Sequence, residues 1–167
     1  MKNSEKMLSA IEAQDLVQAE QWFEKALLED SDSILLDLAE YLESIGFFLQ
    51  AKRIYNKLAP LYPQVNLNLA AIASEDGDLE EAFGYLEEVR SNDPWYVNAL
   101  LIKADLYQME GLPDVAREKL VEASQLSDDP IITFGMAEID FELGNFTQAI
   151  KEYASLDNRT IYEQTGI

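Results

Sequence analysis

Apolar positions along this chain recur at spacings of three and four residues, which places them on one face of an α-helix. One set reads Leu35, Leu38, Ala39 and Leu42; Leu69, Ala70 and Ala73; Leu100, Ala104 and Tyr107; Phe134, Met136 and Ala137. A second set starts from a small residue five positions after a turn: Ala19, Ala51, Ala82, Ala116 and Ala149, separated by 32, 31, 34 and 33 residues. Four residues beyond each alanine stands a large side chain (Phe23, Tyr55, Leu86, Leu120, Tyr153), and three further on a small or apolar one (Ala26, Leu58, Val89, Ala123, Leu156). Together the two sets predict a unit of helix A, tight turn and helix B, repeated five times. Helices approach closely only where a side chain is small, so the recurring alanines and glycines read as packing residues, and Trp22, Phe23, Tyr55 and Tyr153 as core.

The punctuation of the chain agrees with that division. Gln14, Gly46, Gly77, Gly111 and Gly144 hold the turn position. Asp15, Asp78 and Asn145 follow where helix B needs a cap, with Gln18, Glu81 and Gln148 three residues later as capping-box partners. Asp93-Pro94 and Asp129-Pro130 each set a carboxylate before a proline that has no N–H to lose, and so open the fourth and fifth helix A; Pro63 marks the start of the third. Phe47 and Leu49 flank the second turn where polar residues stand elsewhere, an exposed apolar spot or, more plainly, packing.

These residues resemble the tetratricopeptide repeat, a unit of about 34 residues with a small residue early in helix A, glycine at the turn, alanine in helix B and a late proline. The early small residue falls at Ala39, Ala70, Ala104 and Ala137, and the late proline at Pro63 and Pro94. The resemblance implies an all-α fold, a right-handed α-α superhelix, as a single domain over 1–167 with units near 1–31, 32–62, 63–96, 97–129 and 130–162. Three positions depart from the pattern: Gln14 replaces the turn glycine, Pro113 stands where an aromatic or leucine is usual, and Lys103 occupies a normally apolar place in helix A. Pentatricopeptide arrays share the hairpin plan but read RNA, which this charge does not suit.

Charge narrows the partners. The 12 Lys and Arg against 32 Asp and Glu give a net charge of -20, which repels phosphate backbones and anionic lipid. Nucleic acid and membrane are therefore excluded as expected partners. With no Cys and no His, the chain lacks a thiol nucleophile, a disulfide framework, the commonest general base and the commonest transition-metal ligand. Glu75 to Glu81 is acidic but lacks the alternating ligands and final glutamate of a calcium loop. No phosphate-binding glycine loop, serine elbow or distinguished carboxylate pair is present, so no catalytic residue, metal or cofactor is expected. No secretion signal and no bilayer-length apolar run is visible, and the sequence predicts a cytoplasmic protein.

In tetratricopeptide proteins the A helices line a concave groove, and the resemblance implies groove positions here. They are Leu36, Glu40 and Glu43; Leu67, Ala71 and Ser74; Asn98, Leu101, Asp105 and Gln108; Ile131, Phe134, Glu138 and Phe141. The basic residues Lys25, Lys52, Arg53, Lys57, Arg90, Arg117, Lys119 and Lys151 all fall in predicted B helices, and from the second unit on only Lys103 falls in an A helix. That argues against capture of an acidic C-terminal tail and for a basic, apolar peptide or protein. The expected role is an interaction scaffold or assembly adaptor. A peptide-sensing regulator is the alternative, although the repeats begin by about residue 4 and leave no room for the usual DNA-binding domain ahead of them. After Leu156 the chain looks too short and too apolar for a capping helix. It is expected to be the front of a longer repeat protein that associates with itself through that end, or to fold the tail Ile161 to Ile167 back as a partial cap.

Overall fold

The computed structural model describes the backbone of residues 1–165 and the side chains of residues 1–156. Ten α-helices appear: α1 (Asn3–Glu12), α2 (Leu16–Glu29), α3 (Asp32–Ser44), α4 (Phe48–Leu58), α5 (Val65–Glu75), α6 (Leu79–Glu87), α7 (Tyr96–Met109), α8 (Pro113–Ser124), α9 (Pro130–Glu142) and α10 (Phe146–Thr165). They pack as helix pairs, odd with even, and the described residues contain no strand. The chain divides into two compact units, one over Met1–Glu88 with α1 to α6 and one from Val89 onward with α7 to α10.

Each inner turn is made the same way. Gln14, Gly46, Gly77, Gly111 and Gly144 all have positive φ, from 59° at Gln14 to 88° at Gly46. The next residue then turns its N–H back onto a carbonyl five positions earlier, as in Asp78 to Ala73 at 2.9 Å and Asn145 to Asp140 at 2.7 Å. This closure satisfies helix-end carbonyls and reverses the chain within two residues. Glycine adopts the left-handed conformation freely; Gln14 does so against the steric preference of an L-residue.

The same closure explains why only half of the expected capping box forms at Asp15 and Asp78. Asp15 and Asp78 accept from the backbone N–H of Gln18 and Glu81 at 3.1 and 3.0 Å. The return bond is pre-empted, because the cap N–H of Asp15 and Asp78 already serves Ala10 and Ala73. Asn145 departs from the expectation: its side-chain amide donates to Asp140 at 3.4 Å. Pro113 is accounted for as the first residue of α8, where a missing N–H costs nothing. Pro130 opens α9 in the same way, with Asp129 accepting from Ile131 at 3.0 Å. Pro63 and Pro94 instead precede their helices by a turn, so α5 starts at Val65 and α7 at Tyr96.

In the first unit Phe23, Leu35, Leu42, Ile54, Tyr55, Leu58 and Leu69 are completely or almost completely buried in one cluster that runs from α1 to α5. The repeat alanines Ala19, Ala51, Ala82, Ala116 and Ala149 are all buried. In the second unit the cluster is Leu100, Ala104, Ala116, Leu120, Ala123, Ile132 and Ile139. Two expectations are corrected there. The inward face of α9 is Ile132, Ala137, Ile139 and Asp140, whereas Phe134 is 45% exposed. The segment after Leu156 does not fold back, since α10 continues as helix to Thr165; Gly166 and Ile167 lie outside the described residues.

Candidate partner-binding surfaces

In the first unit, α3 and α5 carry the expected groove residues Leu36, Glu40, Glu43, Leu67, Ala71 and Ser74. Glu40 and Ala71 are exposed, and Leu67 and Ser74 are half-buried. Leu36 lines a cleft of about 220 Å³ with Asp32, Tyr62 and Gln64. Glu43 has work inside the fold: it accepts from the hydroxyl of fully buried Tyr55 at 2.8 Å, and Asn68 donates to the same hydroxyl at 3.3 Å. A buried phenol needs such a partner. Burial, then the Glu43 carboxylate, pushes the Tyr55 hydroxyl well above its ordinary range. Phe47 packs half-buried on the core while Leu49 is 76% exposed, so of these two residues only Leu49 is presented at the second turn.

In the second unit, α7 and α9 bring six of the expected residues around one concavity of about 250 Å³: Leu101, Asp105 and Gln108 with Ile131, Phe134 and Glu138. Leu120 and Gly135 complete it; sequence reasoning places Leu120 only as a helix-B residue and passes Gly135 over. A Cβ at Gly135 would lie 3.1 Å from a Leu120 methyl, tight enough that Leu120 would have to shift; an isolated glycine inside an apolar helix was the available signal. Burial raises the Asp105 carboxyl above its ordinary value. Phe134 meets Tyr153 edge-on at 6.0 Å. Asn98 is exposed and does not line this concavity, and Phe141 lies apart against Phe146, centroids 5.3 Å away.

Four of the basic side chains, Lys52, Arg53, Lys57 and Arg117, are tied into contacts on the B-helix side. Arg53 of α4 pairs with Glu24 of α2 and stands 3.7 Å from Glu20. Lys57 donates to the Leu27 carbonyl, and Lys52 meets Glu81 of α6 at 2.5 Å. These contacts run between successive helix pairs. Arg90 corrects the expectation, since it lies in the connection after α6 and not in a B helix. In the second unit Arg117 of α8 makes a two-pronged contact with Asp140 of α9, at 2.7 and 2.9 Å, and reaches Glu152 of α10 at 3.4 Å. The guanidinium holds Asp140 below the usual carboxylate range, whereas burial pushes Glu152 up. Glu152 Oε2 is buried without a hydrogen-bond partner.

Among the described residues no cluster of Asp and Glu is placed to hold a metal ion, and no helix is long and apolar enough to cross a membrane. Helix pairs that turn on a left-handed residue and cross on buried alanines define a class: the chain is a tetratricopeptide-repeat protein of bacterial type. Within that class, residues 108–161 match the family described as YpiA-like, tetratricopeptide repeats. The chain is 32% identical over 148 residues to the TPR repeat-containing protein YpiA of Bacillus subtilis (strain 168), which covers 86% of this chain. It spans about a third, 33%, of that relative's length. Its fold is also similar to the crystal structure of MamA, with a TM-score of 0.72 at 16% identity over 94% of this chain and 95% of that one. PilF of Pseudomonas aeruginosa matches at a TM-score of 0.67 and 20% identity over 93% of this chain and 74% of that one. At such identities the likeness is one of fold.

Proposed function

We propose that this protein is a cytoplasmic interaction scaffold whose A-helix faces hold a basic, apolar segment of a partner protein, and that it binds without catalysing. The observation that carries this is the concavity of the second unit, where apolar Leu101, Ile131 and Phe134 alternate with acidic Asp105 and Glu138. Apolar side chains supply the affinity there, and the carboxylates set the sign of charge that can approach. No lysine or arginine lines the concavity to compensate those carboxylates. A chain with no His or Cys offers little to general acid-base or thiol chemistry, which favours binding over catalysis.

Fluorescence anisotropy with a labelled helical peptide that has Leu at spacings of three and four and Lys elsewhere, beside its Glu/Leu counterpart, tests the reading. The Lys/Leu peptide should bind several-fold more tightly at low ionic strength than near 0.15 M, where screening acts over about 8 Å. Leu101→Asp with Phe134→Asp should weaken it at least tenfold, and Glu40→Lys with Glu138→Lys should weaken it and flatten the salt dependence. Equal binding of the Glu/Leu peptide, or affinity insensitive to both salt and substitution, would leave these carboxylates as ordinary solvated surface.

A further inference from the structure

A second cleft, of about 640 Å³, lies on the B-helix side of the first unit between α4 and α6, with the start of α5 contributing to its lining. Gly84 sits within α6 facing this space, and a Cβ built there would meet nothing within 4 Å. Glycine inside a helix weakens it relative to alanine. At Gly135 the close Leu120 side chain accounts for the glycine; at Gly84 no contact within the chain does. Bare helix backbone facing a cleft suits the close approach of another molecule.

Asn66 points to the same space from a different element. It is 5% exposed, lines the cleft, and gives its Nδ2 to the Pro63 carbonyl at 3.1 Å, while its Oδ1 meets no donor from the protein. The Pro63 carbonyl fixes the orientation of the amide, because only the NH₂ end can donate to it. Glu81 and Glu88 stand at the cleft, and Lys52 and the Tyr85 hydroxyl both bond Glu81 through Oε1, at 2.5 and 2.8 Å. That leaves Glu81 Oε2, Glu88 and Asn66 Oδ1 as acceptors, beside apolar Ala59 and Pro60 and the half-buried Tyr85 ring. The complement is a planar, positive group with several donors on an apolar stem, which describes arginine better than lysine.

We propose that this cleft is a second protein-binding site, separate from the A-helix faces, that receives an arginine side chain of a partner. The site stands whether or not the A-helix faces bind peptide, because none of its residues is among the expected groove positions, although Asn66 stands at the start of α5. The test is a nuclear magnetic resonance titration of the ¹⁵N-labelled chain with N-acetyl-arginine amide, with the lysine and glutamate analogues alongside. Saturable shifts should centre on the Gly84 and Tyr85 amides and the Asn66 side chain, strongest for arginine. Gly84→Gln, which has room for its Cβ, should melt no lower than the parent yet weaken the titration at least tenfold; Glu88→Gln should weaken it about threefold. The assignment is overturned if arginine gives no saturable shifts there, if lysine or glutamate matches it, or if Gly84→Gln binds as well as the parent.

Discussion

Glu152→Gln should stabilise this protein, and the gain should grow as the pH rises above the ordinary glutamate value of 4.5. Glu152 is 7% exposed, its Oε1 takes Gln148 at 2.9 Å and Arg117 at 3.4 Å, and its Oε2 takes nothing. Asp140, 1% exposed, already occupies the same guanidinium with both oxygens. One cation therefore faces two buried carboxyl groups. A buried acceptor without a partner costs about 1–3 kcal/mol, and glutamine would replace that oxygen with an NH₂ able to donate to Asp140. Taking the low end, a gain of about 1 kcal/mol at neutral pH corresponds to a rise in Tm of about 2–4 °C for a chain of this size. The sign follows from linkage. Burial, and after it the neighbouring Asp140, raises Glu152 in the fold, so its contribution is fully present below 4.5 and is lost as the pH rises through its folded value. Asp140 behaves oppositely: lowered by Arg117, it contributes above its ordinary 3.8 and loses that contribution as the pH falls through its folded value. Thermal melts followed by circular dichroism from about pH 4 to 8 should therefore show wild type and variant diverging upward in pH. As a control, Arg117→Met should destabilise by roughly 3 kcal/mol, the low end for a broken buried pair because the guanidinium is partly exposed. A Glu152→Gln variant no more stable than wild type at neutral pH, or offset from it by a constant amount at every pH, would refute the reasoning.

What the sequence makes legible here is whatever depends on spacing along one helix. Ala19, Ala51, Ala82, Ala116 and Ala149 were readable as crossing points because a close approach must recur once per unit, and each is buried. Gln14 was readable as the stand-in for a turn glycine, and its φ of 59° agrees. Contacts between helices leave no such trace. Arg117 is 23 residues from Asp140 and 35 from Glu152, and no periodicity links them. Glu43 reads as a groove acid from its place on α3, yet a phenol 12 residues away in α4 claims it. The apolar face of α9 was misjudged for a related reason: the helix is rich in large apolar residues all round, so spacing alone cannot tell inward Ile132 and Ile139 from outward Ile131 and Phe134. The return half of the capping box failed because its N–H was already used in closing the turn, a competition among backbone groups that residue identity does not reveal.

Two further outcomes bear on the packing and the turns. Ala82→Leu and Ala116→Leu should each destabilise by roughly 1–3 kcal/mol through overpacking, since both alanines are 0% exposed; wild-type melting for both would mean these positions are not helix crossings. Gln14→Gly should stabilise, because the left-handed conformation at φ 59° costs an L-residue roughly 1–2 kcal/mol that glycine does not incur. Against that, glycine frees the unfolded chain and returns about 0.5–1 kcal/mol, so the expected net gain lies between about 0 and 1.5 kcal/mol and centres on about 0.7 kcal/mol. In urea the variant should unfold at a higher midpoint with an unchanged slope, whereas a lower midpoint would mean that the Gln14 side chain contributes more to the first turn than its strained backbone costs.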